Sequence, residues 1–361
     1  MRAMARSVPH ARLVLGIALV GVLAFTCALS SSSAAQRPQG RVLATWLPYW
    51  DGTHGLDTVL AHSASFRYVS PFSYQTTSLT TFSAGGGILD PTQRAALRAK
   101  GVAVVPSVTA GWGPADASLI FNTPAKRHAH VAAIVKLATD NGFDGIDIDY
   151  EKMAYTTNPV VGQRLRTGFT AFATELCGKL RAMHKRCTIT VMAKTADGHT
   201  TYGIDKWVFD YAALGRVASR VRLMVYDQHG PWGSPGPIAD ISWTEDVVRY
   251  ATSVIAPSKV ELGVPLYGYN WSKKGTTSVQ WDQASALRTA HNAPLVFDAA
   301  SQSPTFTYRA GGVKHTVWFE NARSLEAKVA VANRYHVGTI GFWYIGHQSP
   351  KVWPVLRRFN G

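Results

Sequence analysis

The sequence predicts an α/β fold, a closed (β/α)8 TIM barrel with a small β-rich insertion after its seventh strand. Three observations predict it. Short, β-branched apolar runs recur eight times from Arg41 onward, stretches of helical periodicity separate them, and the fourth run ends in a row of carboxylates.

The strands are expected at Val42–Trp46, Tyr68–Phe72, Val102–Ser107, Gly145–Asp149, Thr188–Ala193, Val221–Tyr226, Val260–Val264 and Thr339–Trp343. Most are short and apolar throughout, the pattern of parallel strands buried on both faces. The clearest helix runs from about Val160 to Met183. There Val161, Leu165, Phe169, Phe172, Leu176 and Leu180 recur every three or four residues as one stripe. Pro91 opens another helix that ends before Gly101, and Trp243–Ile255 and Ser324–Tyr335 supply two more. Strand and helix in alternation over residues 41–361 suit one catalytic-size barrel domain. An open doubly wound sheet is the alternative, but it usually carries a glycine-rich phosphate loop after its first strand. Here that strand leads into Leu47-Pro48-Tyr49-Trp50-Asp51-Gly52 instead, and Gly85-Gly86-Gly87 lies in a Thr/Ser-rich stretch where it reads as a turn. From 272 to 318 the helical pattern gives way to short alternating runs such as Thr305–Tyr308 and His315–Trp318, with Gly311-Gly312 as a hairpin signal. This is the expected insertion, a small subdomain able to wall a groove.

Residues 1–35 read as an export signal. Arg2, Arg6 and Arg12 precede an apolar run from Leu13 to Leu29, and small residues follow at Ser30–Ala35. A secreted or wall-associated protein is therefore expected, touching the membrane only through this segment; an uncleaved anchor is the alternative. The formal charge of +15 falls to about +12 when the segment is removed. The basic residues are scattered, with no Lys/Arg run and no nucleic-acid motif, so the charge implies attraction to anionic envelope polymers and not to nucleic acid. Cys177 and Cys187 remain, near a helix end and at the next strand's start, and an oxidising compartment favours their pairing. Two buried thiols are the other reading. The twelve His show no H-x-x-x-H or H-E-x-x-H helix pattern, so no metal is expected.

The most informative stretch is Phe143-Asp144-Gly145-Ile146-Asp147-Ile148-Asp149-Tyr150-Glu151. Side chains alternate along a strand, so Asp147, Asp149 and Glu151 share one face and Ile146, Ile148 and Tyr150 the other. With the apolar set toward the helices, the carboxylates point into the barrel, where desolvation is costly. Burial and mutual repulsion push their pKa values apart, so one acid can keep its proton near neutral pH. Glu151 comes last and should reach the C-terminal mouth, where barrel enzymes place their chemistry. A satisfied ion-pair row or a divalent-cation site are the competing readings.

These residues resemble the DxxDxDxE signature of family-18 glycoside hydrolases, with Asp144, Asp147, Asp149 and Glu151 in register. Met224-Val225-Tyr226-Asp227 resembles that family's sixth-strand motif, Leu262–Gly268 its seventh-strand segment and Gly341-Phe342-Trp343 its eighth. Tyr226-Asp227-Gln228-His229, Pro235-Gly236-Pro237 and Trp318–Ser324 are similar to bacterial spore-germination and cortex-lytic N-acetylglucosaminidases. Ser107-Val108-Thr109-Ala110-Gly111 matches the family's third-strand Ser-x-Gly-Gly only in part.

The resemblance implies a retaining hydrolase of β-linked N-acetylglucosamine polymers, peptidoglycan or chitin, in which the substrate's acetamido oxygen is the nucleophile. It implies Glu151 as acid and base, Asp149 as partner of the acetamido N–H, Asp147 as sharer of a proton with Asp149, and Tyr226 as donor to the acetamido oxygen. Trp343 is the implied floor under the sugar. Asp227, Met224, Tyr267 and Tyr49 are weaker groove candidates, each equally open to a packing role. A monomer without cofactor is expected. A non-catalytic carbohydrate-binding barrel is the rival reading; the presence of Glu151 weighs against it.

Overall fold

Strands that are apolar on both faces must be covered on both, and here the sheet does this by closing on itself. The computed structural model describes residues 40–85, 89–198 and 204–360. The expected export segment therefore lies outside the described residues. The barrel strands are β1 (Val42–Pro48), β2 (Phe66–Thr76), β3 (Ser107–Ala110), β4 (Gly145–Asp149), β5 (Arg186–Met192), β6 (Arg220–Met224), β7 (Val260–Pro265) and β8 (Thr339–Trp343). Each pairs in parallel with the next, and β1 also pairs with β8, which completes the ring. Helices pack outside it, as the alternation of strand and helix requires.

Local chemistry explains most boundaries. Helix Pro91–Ala99 starts at a capping box between Asp90 and Gln93, and helix Pro159–Ala182 starts where Asn158 accepts from the amides of Val160 and Val161. The expected third strand is broken. Pairing resides in Ala103–Val104 and in β3, because Pro106 between them has no N–H to donate. Strand β6 stops at Met224, short of the expected Tyr226, and Asp227 soon after adopts φ 57° to turn the chain. Cys177 on the long helix is disulfide-bonded to Cys187 on β5, with Cα atoms 5.2 Å apart.

A second, antiparallel sheet of five strands follows β7. It begins at Tyr267, ahead of Ser272, because Tyr267–Ser272 pairs on one side with Gly275–Gln280 and on the other with Val313–Phe319. Gly311 and Gly312, at φ 54° and 75°, make the turn between Ser303–Ala310 and Val313–Phe319.

Alternation along β4 sends Ile146 and Ile148 into the apolar layer under the helices, while Asp147 and Asp149 are buried inside the ring. Tyr150 points outward against Phe121 and Phe172, its hydroxyl 2.8 Å from His130 Nε2. Among the described residues the interior acids pair with one cation, Arg222 of β6, which is itself fully buried. Arg222 lies opposite Glu261 of β7 in register. Its Nε donates to Glu261 Oε1 at 2.6 Å, and Nη1 donates to Asp147 Oδ2 at 2.9 Å and to Ser70 Oγ at 3.1 Å. The guanidinium also sits 4.0 Å from the centre of the Trp46 ring. Tyr68 donates its hydroxyl to the other Glu261 oxygen. A Cβ at position 341 would overlap Glu261 Oε1, so β8 carries glycine there.

Removing the charge of Arg222 leaves Asp147 and Glu261 buried without it. Arg222→Met should cost about 3–5 kcal/mol, read from urea denaturation; a loss no larger than that of a surface substitution would contradict the pairing. Cys177→Ser with Cys187→Ser should lose about 2–3 kcal/mol, a difference that reductant should abolish.

Candidate active site

The C-terminal ends of the strands bring together residues that lie far apart in sequence. After Asp149 the chain leaves the sheet, and Glu151 (φ −79°, ψ −50°) opens a single turn, Lys152–Ala154. Glu151 thereby reaches a groove of about 810 Å³ whose walls include Met192, Met224, Tyr226, Asp227, Trp232 and Trp243. That size falls within the range of small-molecule sites.

Below the groove, the carboxylates are unequally served. Asp147 accepts from Ser107 Oγ at 2.6 Å, from Thr190 Oγ1 at 2.8 Å and from Arg222. Asp149 lies one layer higher, and its Oδ1 has no hydrogen-bond partner among the described residues. The expected proton sharing therefore starts from a lower acid whose oxygens are already engaged. Burial raises the Asp149 pKa well above the usual range. The negative charges of Glu151 and Asp147 raise it further, against the pull of Arg222. Burial also raises Glu151, helped by the nearby Asp227 carboxylate. Both acids are thus poised to hold protons where an exposed carboxyl would not.

Asp227 is fixed from the inserted sheet. Tyr267 and Tyr269 both donate to its Oδ1, the latter at 2.9 Å. Burial raises the Asp227 pKa, while the two phenols oppose the rise. Its positive φ is tolerated more readily by Asp than by most residues. Tyr226 keeps its hydroxyl protonated, since burial first and the surrounding carboxylates next push its pKa up.

Trp343 stands at the end of β8 in a box of aromatic edges. Its ring centre is 5.3 Å from Trp46 and 5.2 Å from Phe72, both at steep angles, and it lies nearly parallel to Tyr226 at 6.5 Å. Such a box holds the indole in one orientation.

The structure therefore gathers Glu151, Tyr226, Asp227 and Met224 around one groove, with Asp149 and Asp147 beneath. Trp343 packs on Tyr226 at the same mouth. Tyr267 is buried and donates its hydroxyl to Asp227. Tyr49 is 48 % exposed and stacks edge-on with Trp50, which in turn touches Phe72 and Trp343. Sequence reasoning missed Arg222 and Glu261, buried charges in largely apolar strands, and the exposed Trp50 and Trp232. A charged residue on the same alternating face as Met224 and Tyr226 was the available signal for Arg222.

Residues 46–347 match the family described as glycosyl hydrolases family 18. Among curated proteins, the chain is 29 % identical over 246 residues to the uncharacterized glycosylase YvbX of Bacillus subtilis (strain 168), covering 67 % of this chain and 69 % of that one. It is 28 % identical over 250 residues to the cortical fragment-lytic enzyme of Bacillus subtilis (strain 168), covering 67 % of this chain and 56 % of the relative. The chain thus spans little more than half the length of that second protein. A solved chitinase from Chromobacterium violaceum superimposes with a TM-score of 0.76 at 28 % identity, over 88 % of this chain and 98 % of the other. With the match spanning the barrel from β1 past β8, the chain belongs to glycosyl hydrolases family 18 and is a glycosidase.

Proposed function

We propose that the protein is a retaining glycosidase that cuts β-linked N-acetylglucosamine polymers through the substrate's own acetamido group, with Glu151 as general acid and base. The observation that carries this reading is a buried acid row with too few cations, whose last member opens into an aromatic groove. A protonated Glu151 gives its proton to the glycosidic oxygen as the C1–O bond breaks. The acetamido oxygen attacks C1 from the opposite face and forms a cyclic oxazolinium ion. Asp149, passing its proton toward Asp147 below it, accepts the acetamido N–H and stabilises the developing positive charge. Tyr226, held as a protonated donor, hydrogen-bonds the acetamido oxygen. Glu151, now ionised, takes a proton from the water that opens the ring. Trp343 supplies the apolar floor on which the reacting sugar rests.

The net positive charge and the resemblance to a cortical fragment-lytic enzyme favour peptidoglycan glycan over chitin as the substrate. The basic-then-apolar segment at residues 1–35 fits a protein that meets this polymer outside the cell.

Glu151→Gln, nearly isosteric, should lower turnover by about 10²–10⁴-fold with folding intact. The check is mass spectrometry of products from chitin oligosaccharides and purified peptidoglycan offered side by side. Glu151-dependent fragments ending in reducing N-acetylglucosamine are expected, and wild-type turnover by the variant would refute the assignment. Activity should also fall on the alkaline side as Glu151 loses its raised-pKa proton.

Asp149→Asn should abolish activity while stabilising the fold at neutral pH. A carboxyl whose pKa is raised on folding binds more protons folded than unfolded. Its stabilising contribution is complete below the unfolded value, about 4, and is lost as pH climbs through the folded value. The variant's advantage should therefore grow from pH 4 to pH 7 in urea denaturation; an advantage independent of pH would contradict the buried-proton account.

A further inference from the structure

Outside the acid row, the loops after β1 and β8 bring together one carboxylate and two imidazoles. One ligand atom each from Asp51, His54 and His347 lies within 4.8 Å of the others. No short-range sequence motif announces this group, since 296 positions separate Asp51 from His347. We propose that Asp51, His54 and His347 form a zinc site that ties the β1 loop to the β8 loop at the rim of the groove.

Four features support it. First, both histidines are anchored through Nδ1 in the way metal-binding histidines usually are. His54 Nδ1 lies 2.8 Å from the Asp51 carbonyl oxygen, and His347 Nδ1 lies 3.1 Å from Asp282 Oδ2. His54 is thus left with Nε2 for an ion, His347 turns its Nε2 toward Asp51, and Asp282 takes the place of the outer carboxylate in a carboxylate–histidine–metal arrangement. Second, the Asp51 side chain is only 7 % exposed, yet its Oδ2 is buried with no hydrogen-bond partner among the described residues. Its Oδ1 meets His347 Nε2 at 2.9 Å, a contact that already converges on the place of the ion. Third, Gly346 (φ 137°) lets the β8 loop settle onto this group. A Cβ there would stand 3.0 Å from His54 Cβ and 3.1 Å from Asp51 Oδ2. Fourth, the donor set of two imidazoles and one carboxylate, with a position left for water, suits zinc and not the all-oxygen preference of calcium or magnesium.

Bound zinc would draw the three donors together by roughly 1 Å toward tetrahedral spacing, given Zn–N and Zn–O bonds of about 2.0–2.2 Å. Asp51 directly follows Trp50, and His347 follows the segment that starts at Trp343, so the ion would fix the contact between these two indoles, now 6.2 Å apart. Asp282 belongs to the insertion, which would make the site a joint between barrel and groove wall.

The test is calorimetric titration of the full chain, carrying no purification tag and stripped with EDTA, with zinc chloride. One ion per chain is expected, not displaced by excess calcium or magnesium, and accompanied by a rise in melting temperature. His54→Ala, an exposed position where folding should be unaffected, and His347→Ala should each lose the binding. Asp282→Asn should weaken it about 10–100-fold. Absence of stoichiometric zinc binding by the unaltered protein, or equal binding by both histidine variants, would overturn the proposal.

Discussion

Everything in the barrel interior turns on a shortage of positive charge. Asp147, Asp149, Glu151 and Glu261 gather at one space, and among the described residues Arg222 is the cation that pairs with any of them. Its Nε goes to Glu261 and Nη1 to Asp147, so among the described residues it pairs with the two lower acids and with neither upper one. A buried, unpaired carboxylate costs several kcal/mol if it stays ionised, so the upper acids answer by binding protons. The ion pair therefore divides four similar groups, two held by Arg222 at the bottom and two nearer the mouth whose pKa values burial raises.

The same logic explains why the second sheet matters to chemistry. Tyr267 and Tyr269 reach from it to clamp Asp227, whose carboxylate helps keep Glu151 protonated. Trp271 of the same strand donates its indole N–H to the Gly230 carbonyl at 3.1 Å, fixing the loop that presents Trp232 to solvent. Side chains on an appended layer thus set both the electrostatics of the acid and the shape of the wall. A barrel alone would supply the carboxylates without the tuning.

Much of this was legible in the residues. Strands β4 and β8 fall where the apolar runs place them, because runs of five alternating or β-branched residues bounded by glycine or charge leave little choice. The acid row was readable since Ile146 and Ile148 fix which face is outward, and the family resemblance added roles to Glu151 and Asp149. The rest depends on register and long-range contact. Arg222 and Glu261 become meaningful only once β6 and β7 are paired, and the Tyr267 contact needs the insertion to fold back over Asp227. Lys194, just past β5, is buried, donating to Asp197 at 2.8 Å and to the Phe209 carbonyl at 2.6 Å. Its destination lies in loops whose course local periodicity does not encode.

The central claim, that burial and uncompensated charge keep Glu151 protonated, is reached most directly by NMR titration of side-chain carboxyl carbons in 13C-labelled protein. The Glu151 signal is identified by its loss in Glu151→Gln. The account predicts a midpoint above the ordinary glutamate value of about 4.3, moved back down in Asp227→Asn. An ordinary midpoint, indifferent to Asp227, would contradict it.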